Sequence, residues 1–136
     1  MKNLNLCKLP AYDSIDIVRI CSSTANRVCQ EMDDWLSLRC VRVDTPTRDR
    51  ILELCRSLPP ANSMRCHTPP VGLRFYKDQN LRLAFSICWA CNNAFGERNG
   101  KPIVVRFDGK STIAIELFSI VQGVVGADIL GDSEIQ

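Results

Sequence analysis

The chain has 136 residues, 46% of them apolar and 24% charged, with a formal net charge of +2 and eight cysteines. That length suits a single domain over residues 1–136 with a real core, and the composition excludes a disordered or fibrous chain. The near-neutral balance excludes a strong general attraction to nucleic acid or membranes, and no apolar run approaches the ~18 residues of a membrane helix.

The start, Met1-Lys-Asn-Leu-Asn-Leu-Cys7, lacks the apolar stretch of about 7–15 residues that a signal peptide requires. A cytoplasmic location without membrane contact is therefore expected. The first third, to about residue 36, carries the weakest pattern. Ile15-Asp-Ile-Val-Arg-Ile20 reads as a strand. Ala25, Val28, Cys29 and Met32 have helical spacing behind a cap at Ser23 or Thr24. From Trp35 to Val43, Leu36, Leu38 and Cys40 alternate with Ser37, Arg39 and Val41, as in a strand.

A helix over residues 46–58 is better marked. Thr45 is its expected N-cap and Pro46 its first residue, where a missing N–H costs nothing. Ile51, Leu52, Leu54, Cys55 and Leu58 form the apolar face, and Pro59-Pro60 stops it.

The middle of the chain alternates with period two. Val71, Leu73 and Phe75 share one face of a strand, and Leu81, Leu83, Phe85, Ile87 and Trp89 share one face of the next. A three-residue loop, Asp78-Gln79-Asn80, would pair Lys77 with Leu81, Phe75 with Leu83 and Leu73 with Phe85. Asn99-Gly100 is a type I′ hairpin signal that pairs Arg98 with Lys101 ahead of Ile103-Val-Val-Arg-Phe107. Parity between these hairpins asks for one β-bulge near Cys88-Trp-Ala-Cys91, which would turn both cysteines to the same side. A last helix starts near Ser111 and ends around Gly123 and Gly126, with a mobile tail after about residue 128. The expected class is α+β, with a mostly antiparallel sheet and two main helices packed on one face in two layers.

The cysteines, at 7, 21, 29, 40, 55, 66, 88 and 91, fall mainly within expected helices and strands, where they suit small buried hydrophobes. With no export signal, reduced thiols are expected over a disulfide framework. Cys88-x-x-Cys91 is the sharpest local feature. Straight continuation of the first hairpin carries Cys66 and His67 alongside it, so Cys66, His67, Cys88 and Cys91 form a candidate zinc-ligand set. The same pair could be redox-active, but no helix follows to lower a thiol pKa. His67 is the only histidine, and no nucleophile or orienting group marks it as a catalytic base. Arg74, Arg82 and Arg106 fall on the polar side of the sheet and make a candidate anion site. Few aromatic side chains accompany them for base stacking.

These segments resemble a group of small bacterial proteins of unassigned activity. The shared stretches are Cys66-His-Thr-Pro69, Gly72-Leu-Arg-Phe-Tyr76 and Ser86-Ile-Cys-Trp-Ala-Cys-Asn-Asn93, in that order, followed by a short C-terminal helix. The resemblance covers roughly residues 65–121 and implies no activity, substrate or cofactor. It singles out Cys66, His67, Cys88 and Cys91, because they lie within the shared stretches.

Three functions fit. A non-catalytic binding or interaction protein, stabilised by a zinc-type Cys/His site, comes first, with a protein partner ahead of nucleic acid. A small thiol oxidoreductase using Cys88 and Cys91 comes second. An anion or nucleic-acid binder using the arginine face comes third.

Overall fold

The structure is a computed structural model and describes residues 2–20, 40–67 and 69–133. The period-two stretches become strands β1 (Lys2–Asn3), β2 (Ser14–Arg19), β3 (Cys40–Arg42), β4 (Val71–Lys77), β5 (Asn80–Cys88), β6 (Asn93–Arg98) and β7 (Lys101–Arg106). Among the described residues they form one seven-stranded sheet in the order β1-β7-β6-β5-β4-β2-β3. Every neighbouring pair is antiparallel except β1 with β7. Two α-helices, α1 (Thr45–Ser57) and α2 (Thr112–Ser133), complete the α+β class expected from the sequence. The expected helix over residues 25–32 and the first half of the 35–43 strand lie outside the described residues.

Local chemistry explains most boundaries. Asp44, not Thr45, caps α1: its Oδ1 accepts the Thr47 N–H at 2.9 Å. Pro46 stands in the first turn, where no intrahelical partner awaits its nitrogen. Ser111 Oγ accepts the Ala114 N–H at 3.2 Å at the start of α2. That helix continues through Gly123 and Gly126 to Ser133, past the expected stop, because an isolated glycine weakens a helix by only about 1 kcal/mol.

The first hairpin turns on Asp78 and Gln79, both at positive φ, and pairs Lys77 with Asn80. The loop is one residue shorter than expected. A register shift follows, with Tyr76 opposite Leu81 and Phe75 opposite Leu83, so Arg82 is the extra residue. The shift restores the expected pairs of Phe75 with Leu83 and Leu73 with Phe85. The Asn99-Gly100 turn pairs Arg98 with Lys101 as expected.

Between the hairpins lies a strand that the alternation pattern did not predict. Residues 89–92 turn, Cys88 faces Asn93, and β6 runs back along β5 before the Asn99-Gly100 turn. Because β6 carries Ala94 toward the core at an even position, the parity conflict disappears and no bulge is needed near Cys88. Gly96 explains why this strand looked featureless: a Cβ there would come within 1.8 Å of the Ala84 carbonyl oxygen.

Ile15, Ile17, Leu73, Phe75, Phe85 and Val105 from the sheet join Ile51 and Leu54 of α1 and Leu117 and Val121 of α2 in one continuous core. The opposite face of the sheet is also largely covered, with Val18, Ser86, Asn93 and Cys88 all buried. That second covered face holds the candidate site.

Candidate functional site

Residues 59–67 pass the 89–92 turn and reach Asn93 and Ser86 on the outer face of β6 and β5, tied down by hydrogen bonds at several points. The Asp108 N–H donates to Pro59 O at 2.8 Å and the Met64 N–H to Cys91 O at 2.9 Å. The Asn92 side chain donates to Asn62 O at 3.3 Å and accepts from the Gly109 N–H at 2.9 Å. Asn92 has φ 57°, a left-handed conformation that asparagine tolerates, and it anchors the 89–92 turn to both flanking segments. Trp89 holds the other side, donating from Nε1 to Ala114 O at 2.9 Å and packing edge-on against Phe118.

Asn93 organises what lies beneath. Its Nδ2 donates to Ser63 Oγ at 3.0 Å, Met64 O at 3.2 Å and Cys66 O at 2.9 Å. Those acceptors fix the amide orientation, so Oδ1 is the atom that meets His67 Nδ1 at 2.6 Å. An amide oxygen can only accept; Nδ1 must therefore carry the imidazole proton. Nε2 is then the bare acceptor and takes the hydroxyl hydrogen of Ser86, with Oγ 2.7 Å away. Ser86 has a second outlet, Phe95 O at 3.3 Å, and the Phe95 ring meets the imidazole edge-on. Burial lowers the His67 pKa below its ordinary value, while the Asn93 contact opposes the shift.

From the sequence His67 was a candidate site residue, whereas its partners Ser86 and Asn93 stood only within a shared stretch and carried no role. Ser86 and Asn93 were both visible as small polar residues beside the apolar run of β5. Without β6 in place, nothing brought Asn93 opposite Cys88 or His67 over Ser86.

The four expected zinc ligands are distributed differently. Cys66 and Cys91 are joined in a disulfide with Cα atoms 5.8 Å apart. Reduced thiols were expected at both, and a bonded sulfur has no thiolate to offer a metal. Cys88 is buried at the end of β5 and lies outside the disulfide, and His67 spends both ring nitrogens on Asn93 and Ser86. Among the described residues no cluster of three or more His, Cys, Asp or Glu could hold a metal ion.

The three arginines do not converge. Arg74 is buried, with Asp16 of β2 opposite it. Asp16 in turn accepts from Arg42 Nε at 2.7 Å and from Nη2 at 3.3 Å, and the Arg42 guanidinium stacks over Tyr76. Cys40 also donates its thiol hydrogen to Asp16, and burial together with that carboxylate raises its pKa. Arg82 is the exposed bulge residue, and Arg106 hydrogen-bonds Asn3. The polar side of the sheet, expected to carry a candidate anion site, is thus buried at Arg74.

Asn93, His67 and Ser86 reproduce the hydrogen-bond order of an orienting group, a base and a hydroxyl nucleophile. Access decides against using it that way. Ser86 has 0% exposure, and its Oγ lies against the His67 imidazole. Any motion that admitted a substrate to Oγ by lifting residues 59–67 would carry the base away with it.

Compared with known proteins, the chain matches no family model, no curated protein and no solved structure.

Proposed function

We propose that this protein acts by binding a partner and not by catalysis, and that its Cys/His cluster is a structural clasp. One observation carries this reading: Ser86 is fully buried, and the imidazole that could activate it has both ring nitrogens already engaged. Such a saturated, part-buried network holds a segment in one place and leaves no unused donor for a reacting group. In this protein a disulfide and a polar network take the stabilising role expected of a zinc-type site.

Activity-based labelling tests it directly. Native protein treated with a fluorophosphonate should leave Ser86 unmodified, and a thiol–disulfide turnover assay with a protein disulfide substrate should show no catalysis. Fluorophosphonate attachment to Ser86 that vanishes in His67→Gln would overturn the proposal. So would disulfide turnover that vanishes in Cys91→Ser.

A further inference from the structure

A second feature lies at the other end of the β6–β7 hairpin. Lys2, Asn3, Asn5, Lys8, Arg98 and Lys101 line an open cavity of about 500 Å³, with Leu4, Pro102 and Ile103 supplying apolar wall. Four of these residues are cationic and none of the lining residues is acidic. Among the described residues, none of the four cations forms an ion pair.

The register makes this arrangement costly. Arg98 and Lys101 face each other directly across the hairpin. Like charges in that position destabilise a strand pair. Lys2 and Lys8, brought in by β1 and the 3₁₀ turn at Leu6–Lys8, add to the same positive field. The whole chain has a net charge of only +2, so this cavity concentrates charge that the rest of the surface balances. A bound anion would relieve the repulsion, and the volume falls within the range of about 300–1,000 Å³ typical of small-molecule sites.

We propose that this cavity binds a small organic phosphate: a ligand with at least two negative charges and an apolar body seated on Leu4, Pro102 and Ile103. The site deepens the binding reading by naming a ligand class. A nucleic-acid strand fits less well, because no aromatic side chain lines the cavity to stack a base.

The test uses the full chain, with 1-naphthyl phosphate and inorganic pyrophosphate as probes at low salt. Both should bind and raise the melting temperature, because a ligand of the native state stabilises it by mass action. Affinity should fall as salt approaches ~0.15 M, where exposed charges are screened beyond about 8 Å. Arg98→Gln with Lys101→Gln should weaken both probes at least tenfold. In the absence of probe, the same double variant should melt no lower than the parent, because it removes a repulsion. No binding by the parent at low salt overturns the proposal, as does equal binding by the double variant. Tighter binding of a single-stranded oligonucleotide than of either probe also overturns it. Each of these failures leaves the non-catalytic reading standing, which the labelling of Ser86 and the turnover assay decide separately.

Discussion

His67 Nε2 and Ser86 Oγ meet at 2.7 Å across 19 residues of sequence, and the direction of that hydrogen bond is set by a third residue. Asn93 can only accept at Oδ1, so the imidazole proton lies on Nδ1 and the serine hydroxyl must donate. The three side chains join residues 59–67, β5 and β6, which makes the cluster a junction between segments distant in the chain.

The His67 pKa gives this junction a pH dependence. Burial holds the folded-state value below the ordinary imidazole value near 6.5. Below that value the unfolded chain binds a proton that the native protein resists, so the contribution is present above about pH 6.5 and is lost as pH falls toward the depressed value. Urea denaturation at a series of pH values should show stability declining through this window, and His67→Gln should flatten the decline. A profile identical in the variant would show that His67 is not the responsible group. On protonation Nε2 becomes a donor, and the Ser86 hydroxyl is expected to turn to Phe95 O, its second acceptor.

Asn93→Asp separates a clasp from a catalytic relay. Aspartate keeps the acceptor that faces His67, and a base-orienting role would tolerate it. It lacks the Nδ2 hydrogens that satisfy Ser63 Oγ, Met64 O and Cys66 O. The variant should therefore lose about 1–3 kcal/mol of stability at neutral pH, the net worth of the two or so hydrogen bonds that the amide's two hydrogens make to these part-buried acceptors. Equilibrium unfolding reads the difference. A loss of under about 0.5 kcal/mol, the scale of an ordinary surface substitution, would show that residues 59–67 are held by other contacts.

In the core, Phe75 has 0% exposure and packs against Tyr12 and Phe85, with ring centroids 5.2 and 5.4 Å away. Phe75→Ala should cost about 3–5 kcal/mol, from lost transfer energy and the cavity left behind. Chemical denaturation measures this, and a loss below about 1 kcal/mol would mean that the site collapses to fill the space.

What the sequence disclosed follows from how local each signal is. The Asn99-Gly100 turn and the pairing of Phe75 with Leu83 rest on neighbours a few residues apart, and both were legible. The strand β6 was not, because Asn93, Gly96, Glu97 and Arg98 leave Ala94 and Phe95 as its only apolar residues. Its strand character comes from being sandwiched between β5 and β7. Losing β6 hid the clasp, since Asn93 is the residue that joins His67 to residues 63–66. It also prompted a bulge where the chain makes a four-residue turn. Cys66 and Cys91 were both named, but as ligands of one metal. Proximity of two sulfurs is compatible with a disulfide or a metal site, and spacing alone does not choose between them.

The disulfide supplies the last prediction. Cys66 and Cys91 are 25 residues apart in sequence, and the loop-entropy relation puts the stabilisation from closing such a loop at about 3–4 kcal/mol. Cys66 is an exposed residue, so a soluble dithiol can reach the bond, attack one sulfur and release the other, leaving two protein thiols and a cyclic oxidised reductant. The reduced protein should remain folded, because the Asn93 side chain and the Met64–Cys91 backbone bond still hold residues 59–67. Its melting temperature should fall by roughly 10 °C, the shift that about 3 kcal/mol produces in a chain of this size. Amide exchange should accelerate at Met64, the residue whose N–H bonds Cys91 O, and Cys88 should alkylate faster than in the oxidised protein, since the clasp lies over the same face. Cys66→Ser with Cys91→Ser should reproduce all three changes without reductant. Unchanged melting and exchange in that double variant would mean that the polar network alone holds residues 59–67, and that the disulfide adds nothing to the clasp.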